Sequence, residues 1–208
     1  MLTVMLVRPG ATEFDEQGRI KGCLDLPLSN LGREQAAHAA SQLGEMAIKA
    51  VFHSPCEAAR DSAHVLCERL GLKAKEMPKL RNVDLGLWHG RLIEEVRQRQ
   101  PRVYRQWQDE PASCCPPEGE PLSVACERVR DSLSRLVRQY RRGGSIALVT
   151  PEPLASLVKA ELSRAALGDL WKAACSCGTW EAIELDPATA LDRTAALSLG
   201  SGAAGKAG

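Results

Sequence analysis

Short apolar runs alternate along this chain with longer stretches in which apolar residues recur every three or four positions. The short runs are typical of buried strands, and the longer stretches are typical of amphipathic helices. The predicted strands are Leu2–Arg8, Ala50–His53, Ala74–Met77, Ser145–Thr150 and Thr179–Leu185. The predicted helices are Leu31–Met46, Cys56–Leu70, Leu122–Tyr140 and Pro153–Ala166. Such an alternation predicts a layered α/β domain.

Polar residues and prolines mark where these elements begin and end. Ser29 or Asn30 can serve as the N-cap of the first helix, and Gly71 suits the position just after the second. The segment Pro111–Pro121 is rich in Pro, Cys and Glu and is predicted to be a long loop. Beyond Asp186 the chain is rich in Ala, Gly and Ser. We therefore expect one domain over residues 1–186 and a disordered tail over residues 187–208.

Charge and hydropathy exclude several classes of partner. The chain has 208 residues, a net charge of +1 and an isoelectric point near 7.6. Neither nucleic acid nor an acidic membrane surface is favoured by this balance, and the basic stretch 135–142 is interpreted as a solvated helix face. No apolar run approaches the roughly 20 residues that span a bilayer, and no signal peptide is recognised. A cytoplasmic protein is expected.

The eight cysteines do not form a recognised framework. A disulfide scaffold is not expected in a chain of this length without an export signal. The pairs Cys114-Cys115 and Cys175-Ser-Cys177 lack the spacing of a zinc site, so structural thiols are the favoured interpretation. A metal-binding or redox module remains an alternative.

Several short motifs occur in a characteristic order. They are Arg8-Pro9-Gly10 after the first strand, the segments 18–22 and 25–29, His53-Ser54-Pro55, Leu80-Arg81, Gly86-Leu87-Trp88-His89-Gly90, Glu118-Gly119-Glu120 and Val149-Thr150. In this order the chain resembles the histidine phosphatase (phosphoglycerate mutase-like) superfamily. The resemblance covers residues 2–185. It implies a three-layer α/β/α sandwich around a mostly parallel sheet.

The resemblance also implies a catalytic pocket that this chain does not reproduce. In the family a histidine attacks phosphorus, two arginines, a second histidine and an Asn bind the phosphoryl oxygens, and an acidic residue protonates the leaving oxygen. Only one arginine is retained. Arg8 is the arginine that this chain keeps. At the other five aligned positions, Pro9 replaces the nucleophilic histidine, Asp15 the phosphate-binding Asn, Ala58 the second arginine, Asn82 the acidic proton donor and Pro151 the second histidine.

These replacements predict a catalytically inactive protein. Removing a covalent nucleophile costs on the order of 10⁶ in turnover. We therefore expect a pseudoenzyme with no intact catalytic residue, no cofactor and no metal, whose role is to bind a protein partner or a small ligand in a degenerate phosphate pocket. The alternative is an active phosphatase or phosphoglycerate mutase-type enzyme with a rebuilt active site.

Individual polar residues near this pocket have alternative interpretations. Arg8 is expected to pair with Asp15 or with another nearby carboxylate, or else to bind an anion. His53 is interpreted as a packing residue at the end of its strand. A cation site built from Asp15, His53, Asp84 and Glu152 is a weaker hypothesis, because its spacing is no known metal motif.

Overall fold

Five strands form one sheet in the computed structural model, which describes residues 1–186. The strands are β1 (Leu2–Val7), β2 (Ile48–His53), β3 (Ala74–Glu76), β4 (Gly144–Val149) and β5 (Trp180–Leu185). Their order is β3-β2-β4-β1-β5. The first four strands are parallel, and β5 pairs antiparallel with β1. All five agree with the predicted strands to within about two residues. The predicted tail at 187–208 lies outside the described residues.

Helices cover both faces of the sheet. They are α1 (Glu13–Glu16), α2 (Asn30–Leu43), α3 (Glu57–Leu70), α4 (Ile93–Arg99), α5 (Pro101–Asp109), α6 (Leu122–Gln139), α7 (Leu154–Ser163) and α8 (Leu170–Ala173). The Ser29 hydroxyl accepts from the backbone N–H of Gly32 and so caps α2, as predicted. Gly71 ends α3 in the left-handed conformation. None of the described helices is long and apolar enough to cross a membrane.

The alternation of side chains along β1 divides the core into two layers. Val4 and Leu6 point to one side, where they pack with residues of α6 and α7. Met5 and Val7 point to the other side and pack with residues of α2 and α3. The predicted three-layer α/β/α fold is therefore confirmed.

Aromatic side chains fill the end of the first layer that lies over α5 and α8. Trp88 packs against Trp107 and Trp171, with ring centroids 5.6 and 5.5 Å apart, and Trp171 stacks on Tyr104 at 5.0 Å. The helices α1, α4, α5 and α8 that surround this end were not predicted. The predicted loop Pro111–Pro121 opens with a 3₁₀ turn over Pro111–Ser113 and is otherwise irregular up to the start of α6.

Candidate active site

The carboxyl ends of three adjacent parallel strands meet at one edge of the sheet. The backbone N–H of Ser54, after β2, donates to Val149 O at 2.9 Å, and the N–H of Thr150, after β4, donates to Val7 O at 2.9 Å. The Ser54 hydroxyl donates to the Thr150 hydroxyl at 2.7 Å in a fully buried contact. Ligand sites of α/β sheets are usually found at this edge.

Two adjoining clefts open at this edge. Lys21, Gly22 and Pro151 line both of them. The six positions that the sequence singled out lie along these walls: Arg8, Pro9, Asp15 and Pro151 in the first cleft, and Ala58, Asn82 and again Pro151 in the second. The structure therefore brings all six together along one continuous depression.

Arg8 is held by two carboxylates. Its Nε donates to Glu152 Oε1 at 2.8 Å, and a terminal nitrogen lies 2.8 Å from Glu181 Oε1. Lys159 pairs with the other oxygen of Glu181 at 2.6 Å, and Ser156 donates to Glu152 through its backbone N–H and its hydroxyl. Burial alone would lower the pKa of Arg8, but the two carboxylates outweigh it and raise that pKa. The guanidinium is therefore protonated, and the carboxylates of Glu152 and Glu181 balance its positive charge.

Asp15 has a different partner from the one first considered. Its Oδ2 accepts from the N–H and the hydroxyl of Thr12 at 2.7 and 2.8 Å, and from Lys21 Nζ at 2.6 Å. The expectation that Arg8 pairs with a carboxylate is confirmed through Glu152 and Glu181, and its pairing with Asp15 is wrong. The reason is local: α1 and the following turn place Lys21 directly over the Asp15 carboxylate.

Asn82 and Pro9 hold the loops of the site through their polar groups. The Asn82 amide donates to Gly22 O at 2.7 Å and to Glu152 O at 3.0 Å. Pro9 O accepts from the N–H of Gly178 at 2.9 Å. The exposed side chain of Arg60 forms ion pairs with Glu57 and Asp61, so Arg60 does not replace an arginine at Ala58.

Sequence reasoning missed four residues that the structure places at the first cleft or on Arg8. Arg19, Lys21 and Cys177 line that cleft, and Glu181 reaches Arg8 from β5. Arg19 donates to Gln17 Oε1 at 2.9 Å and to Gly90 O at 2.7 Å, and within residues 1–186 it has no carboxylate partner. The signal for Arg19 and Lys21 was available, since both lie in the family-like segment 18–22.

Two further titratable residues, Cys177 and His53, lie near these positions. Burial, followed by the Asp15 carboxylate, raises the pKa of the Cys177 thiol to about 12. His53 is buried, and its Nδ1 lies 2.8 Å from Ser54 O, as expected of a packing residue.

The structure does not support the hypothetical cation site. Asp15 is bound to Lys21 and Glu152 is bound to Arg8. Asp84 instead lies beside His89 and Cys23. In residues 1–186 no group of metal-ligating atoms combines Asp15, His53, Asp84 and Glu152.

The sequence profile of the histidine phosphatase superfamily (branch 1) matches residues 4–192 of this chain. The chain belongs to the histidine phosphatase superfamily. This membership confirms the resemblance drawn from the motifs.

Individual superfamily members are similar to the chain over most of its length. Phosphoserine phosphatase 1 of Hydrogenobacter thermophilus is 26% identical over 186 residues, which are 89% of this chain and 88% of the relative. Glucosyl-3-phosphoglycerate phosphatase of Mycolicibacterium vanbaalenii is 30% identical over 194 residues, covering 91% and 86%. The native structure of a mycobacterial glucosyl-3-phosphoglycerate phosphatase superposes with a TM-score of 0.73 and 28% identity, covering 83% of this chain and 84% of the other.

These relatives contradict one expectation from the sequence. A catalytically inactive protein with only a binding or regulatory role was predicted from the replaced pocket residues. Two relatives that match about nine tenths of the chain, phosphoserine phosphatase 1 and glucosyl-3-phosphoglycerate phosphatase, are named as phosphatases. The comparison therefore favours the alternative, an active enzyme, over the inactive one.

Proposed function

We propose that this protein is a phosphatase that hydrolyses phosphomonoesters of small organic molecules in a rebuilt active site. One observation carries the proposal: the strand-end cleft is lined by three cationic side chains, Arg8, Arg19 and Lys21. The match to named phosphatases over about nine tenths of the chain supports it. Cationic donors converging on a cleft suit a phosphate dianion.

Arg19 and Lys21 are the proposed phosphate ligands. Arg19 has hydrogen bonds only to neutral oxygens, so its charge is not cancelled within the described residues. Lys21 shares its charge with Asp15 and lines both clefts. Arg8 contributes less to binding, because Glu152 and Glu181 already neutralise it. The phosphate is therefore expected on the Arg19 and Lys21 side of the cleft.

The chemical step in this proposal avoids a phosphorylated histidine. Pro9 has no nucleophilic atom, so a water oxygen forms the new bond to phosphorus while the bond from phosphorus to the alcohol oxygen breaks. Asp15 accepts a proton from that water, and solvent returns a proton to the departing oxygen. The products are one alcohol and one inorganic phosphate.

The expected turnover is slow. Loss of a covalent nucleophile lowers turnover by about 10⁶, but binding and charge stabilisation alone retain on the order of 10³–10⁴ over the uncatalysed reaction. Asp15 Oδ2 also already accepts from Thr12 and Lys21, and these hydrogen bonds compete with that of the attacking water. The assay must therefore detect slow release of phosphate.

The test is release of inorganic phosphate by the purified full chain from p-nitrophenyl phosphate, phosphoserine and 3-phosphoglycerate. We expect release in proportion to protein, reduced at least tenfold in Arg19→Ala and in Asp15→Asn. Arg142→Ala is the matched control, because Arg142 is exposed at the opposite edge of the sheet, just before β4. Release no greater than that of heat-inactivated protein would refute the proposal. Release that Arg19→Ala and Asp15→Asn both leave unchanged would refute the assigned site.

A further inference from the structure

A cysteine, an aspartate and a histidine converge at the edge of the second cleft. Cys23 Sγ lies 3.7 Å from His89 Nε2, which in turn lies 3.7 Å from Asp84 Oδ1. The three atoms all lie within 4.8 Å of one another. Cys23 comes from the segment that follows α1, and the other two residues flank the 3₁₀ turn over Gly86–Trp88. The cluster joins two separate loops.

The backbone around this cluster is shaped to admit the imidazole ring. Gly22 adopts a positive φ of +52°, and a Cβ at that position would lie 2.2 Å from His89 Nε2. Only glycine therefore allows the ring to approach Cys23 so closely. His89 Nε2 accepts from the backbone N–H of Leu85 at 3.1 Å and faces the N–H of Cys23 at 3.4 Å. These contacts assign the ring proton to Nδ1, and in the metal-free chain the Nε2 lone pair accepts from the two backbone N–H groups.

From this geometry we propose that Cys23, Asp84 and His89 form a binding site for Zn²⁺. Thiolate, carboxylate and imidazole are the ligand types of protein zinc sites, with bond lengths near 2.0–2.3 Å. A tetrahedral ion with such bonds places neighbouring ligand atoms roughly 3.3–3.6 Å apart. Two of the three separations are 3.7 Å and the third is within 4.8 Å, so side-chain rotations must bring Cys23 Sγ and Asp84 Oδ1 closer together to reach this spacing.

Binding of Zn²⁺ to these three residues displaces contacts that their ligand atoms already make. The thiol of Cys23 loses its proton to the buffer when its sulfur binds the cation. The hydrogen bond from the Leu85 N–H to Nε2, at 3.1 Å, and the longer contact from the Cys23 N–H give way to the bond to the metal. Asp84 Oδ1 also accepts from the N–H of Gly86 at 3.0 Å, and the metal must share that oxygen or displace the N–H. Cys23 is exposed, so the fourth ligand position faces solvent and takes a water molecule. The site would tie the segment after α1 to the 3₁₀ turn.

The test uses the full chain, reduced and freed of metal with a chelator. Titration calorimetry with Zn²⁺ should give one ion per chain with a dissociation constant of about 10 µM or lower. Co²⁺ should produce a thiolate charge-transfer band in the near ultraviolet. Cys23→Ser and Asp84→Asn should each weaken Zn²⁺ binding at least tenfold, and Cys23→Ser should remove the Co²⁺ band.

Cys175→Ser is the matched control, since Cys175 is also exposed but lies outside the cluster. It should leave the Zn²⁺ affinity and the Co²⁺ band unchanged. Absence of Zn²⁺ binding to the unaltered chain would overturn the proposal. So would binding that Cys23→Ser does not weaken, because the ion would then be held by other thiols. A thermal unfolding scan without metal checks that each variant is folded.

Discussion

Arg8 and Glu152 form an ion pair at 2.8 Å with side chains that are only 11% and 7% exposed. The two residues follow adjacent parallel strands, β1 and β4, so the pair ties together the edge of the sheet where the clefts open. Its consequence is electrostatic. The arginine that the family motif retains does not present a free charge to the first cleft, because the carboxylate lies against its guanidinium.

Release of Arg8 should strengthen anion binding. Glu152→Gln removes one negative charge from the wall of the first cleft and preserves a side chain that can accept from Arg8 Nε. We expect affinity for inorganic phosphate, measured by titration calorimetry, to rise about tenfold, or ~1.4 kcal/mol. Glu161→Gln is the control, because Glu161 pairs with Arg130, which is not part of either cleft. An unchanged phosphate affinity in Glu152→Gln would show that Arg8 does not face the bound anion.

The partners of Arg8 illustrate what sequence patterns reveal about a site and what they do not. Arg8 and Pro151 could be placed at the cleft from the sequence because the resemblance to the family aligns them with its pocket positions, and both lie within two residues of the end of a parallel strand. Glu181 could not be placed. It reaches Arg8 only because β5 runs antiparallel to β1 with Glu181 opposite Leu6, so that Arg8 is its diagonal neighbour on the same face. A register of that kind is set by the tertiary fold.

Two of the missed helices differ in the signal that the sequence carried. Helix α4 is short and buries only Val96, whereas α5 places Val103, Tyr104 and Trp107 at helical spacing, an amphipathic pattern that was overlooked. Trp107 of α5 packs against Trp88 and Trp171, which are distant in sequence, so tertiary contacts add to this local signal.

Glu181 should stabilise the fold in a manner that depends on pH. Burial alone would raise its pKa, but hydrogen bonds from Lys159 and Arg8 outweigh burial and lower that pKa below its usual value. A carboxyl group with a lowered pKa stabilises the folded state above the unfolded-state pKa near 4.3, and this contribution is lost as the pH falls through the lower folded-state pKa. Glu181→Gln should therefore cost about 1 kcal/mol at pH 7 and less at pH 3.5.

Urea denaturation of both proteins at the two pH values measures this difference. Glu184→Gln is the matched control on the same strand, because Glu184 is exposed and forms no ion pair in the described residues. Its effect on the free energy of unfolding should be small at both pH values. A cost for Glu181→Gln that grows on acidification would contradict the assigned direction of the pKa.

Cys177 should resist alkylation in the folded protein. Burial and the neighbouring Asp15 carboxylate hold its pKa at about 12, so only about one thiol in 10⁴ is ionised at pH 8, and the thiolate is the reactive form. Cys175, two residues earlier, is exposed and serves as the internal control. Peptide mass spectrometry after brief treatment with iodoacetamide should find Cys175 modified and Cys177 intact. Asp15→Asn should speed modification of Cys177, and equal rates at the two cysteines in the unaltered protein would contradict this prediction.

Direct attack by water implies that no phosphorylated form of the protein accumulates. Intact-protein mass spectrometry after rapid quenching, at neutral and alkaline pH, should find no phosphoryl adduct during turnover of p-nitrophenyl phosphate. Pro9→His should not create one, because Ala58, Asn82 and Pro151 still supply no second arginine, no proton donor and no second imidazole at the cleft.

A phosphoryl adduct on the unaltered protein would contradict direct attack. If that adduct were lost with alkali and absent from Asp15→Asn, the Asp15 carboxylate would be the nucleophile instead of the base. An acid-labile adduct in Pro9→His alone would show that a single imidazole after β1 restores the covalent route and that the charge of the remaining cleft suffices to orient the phosphate.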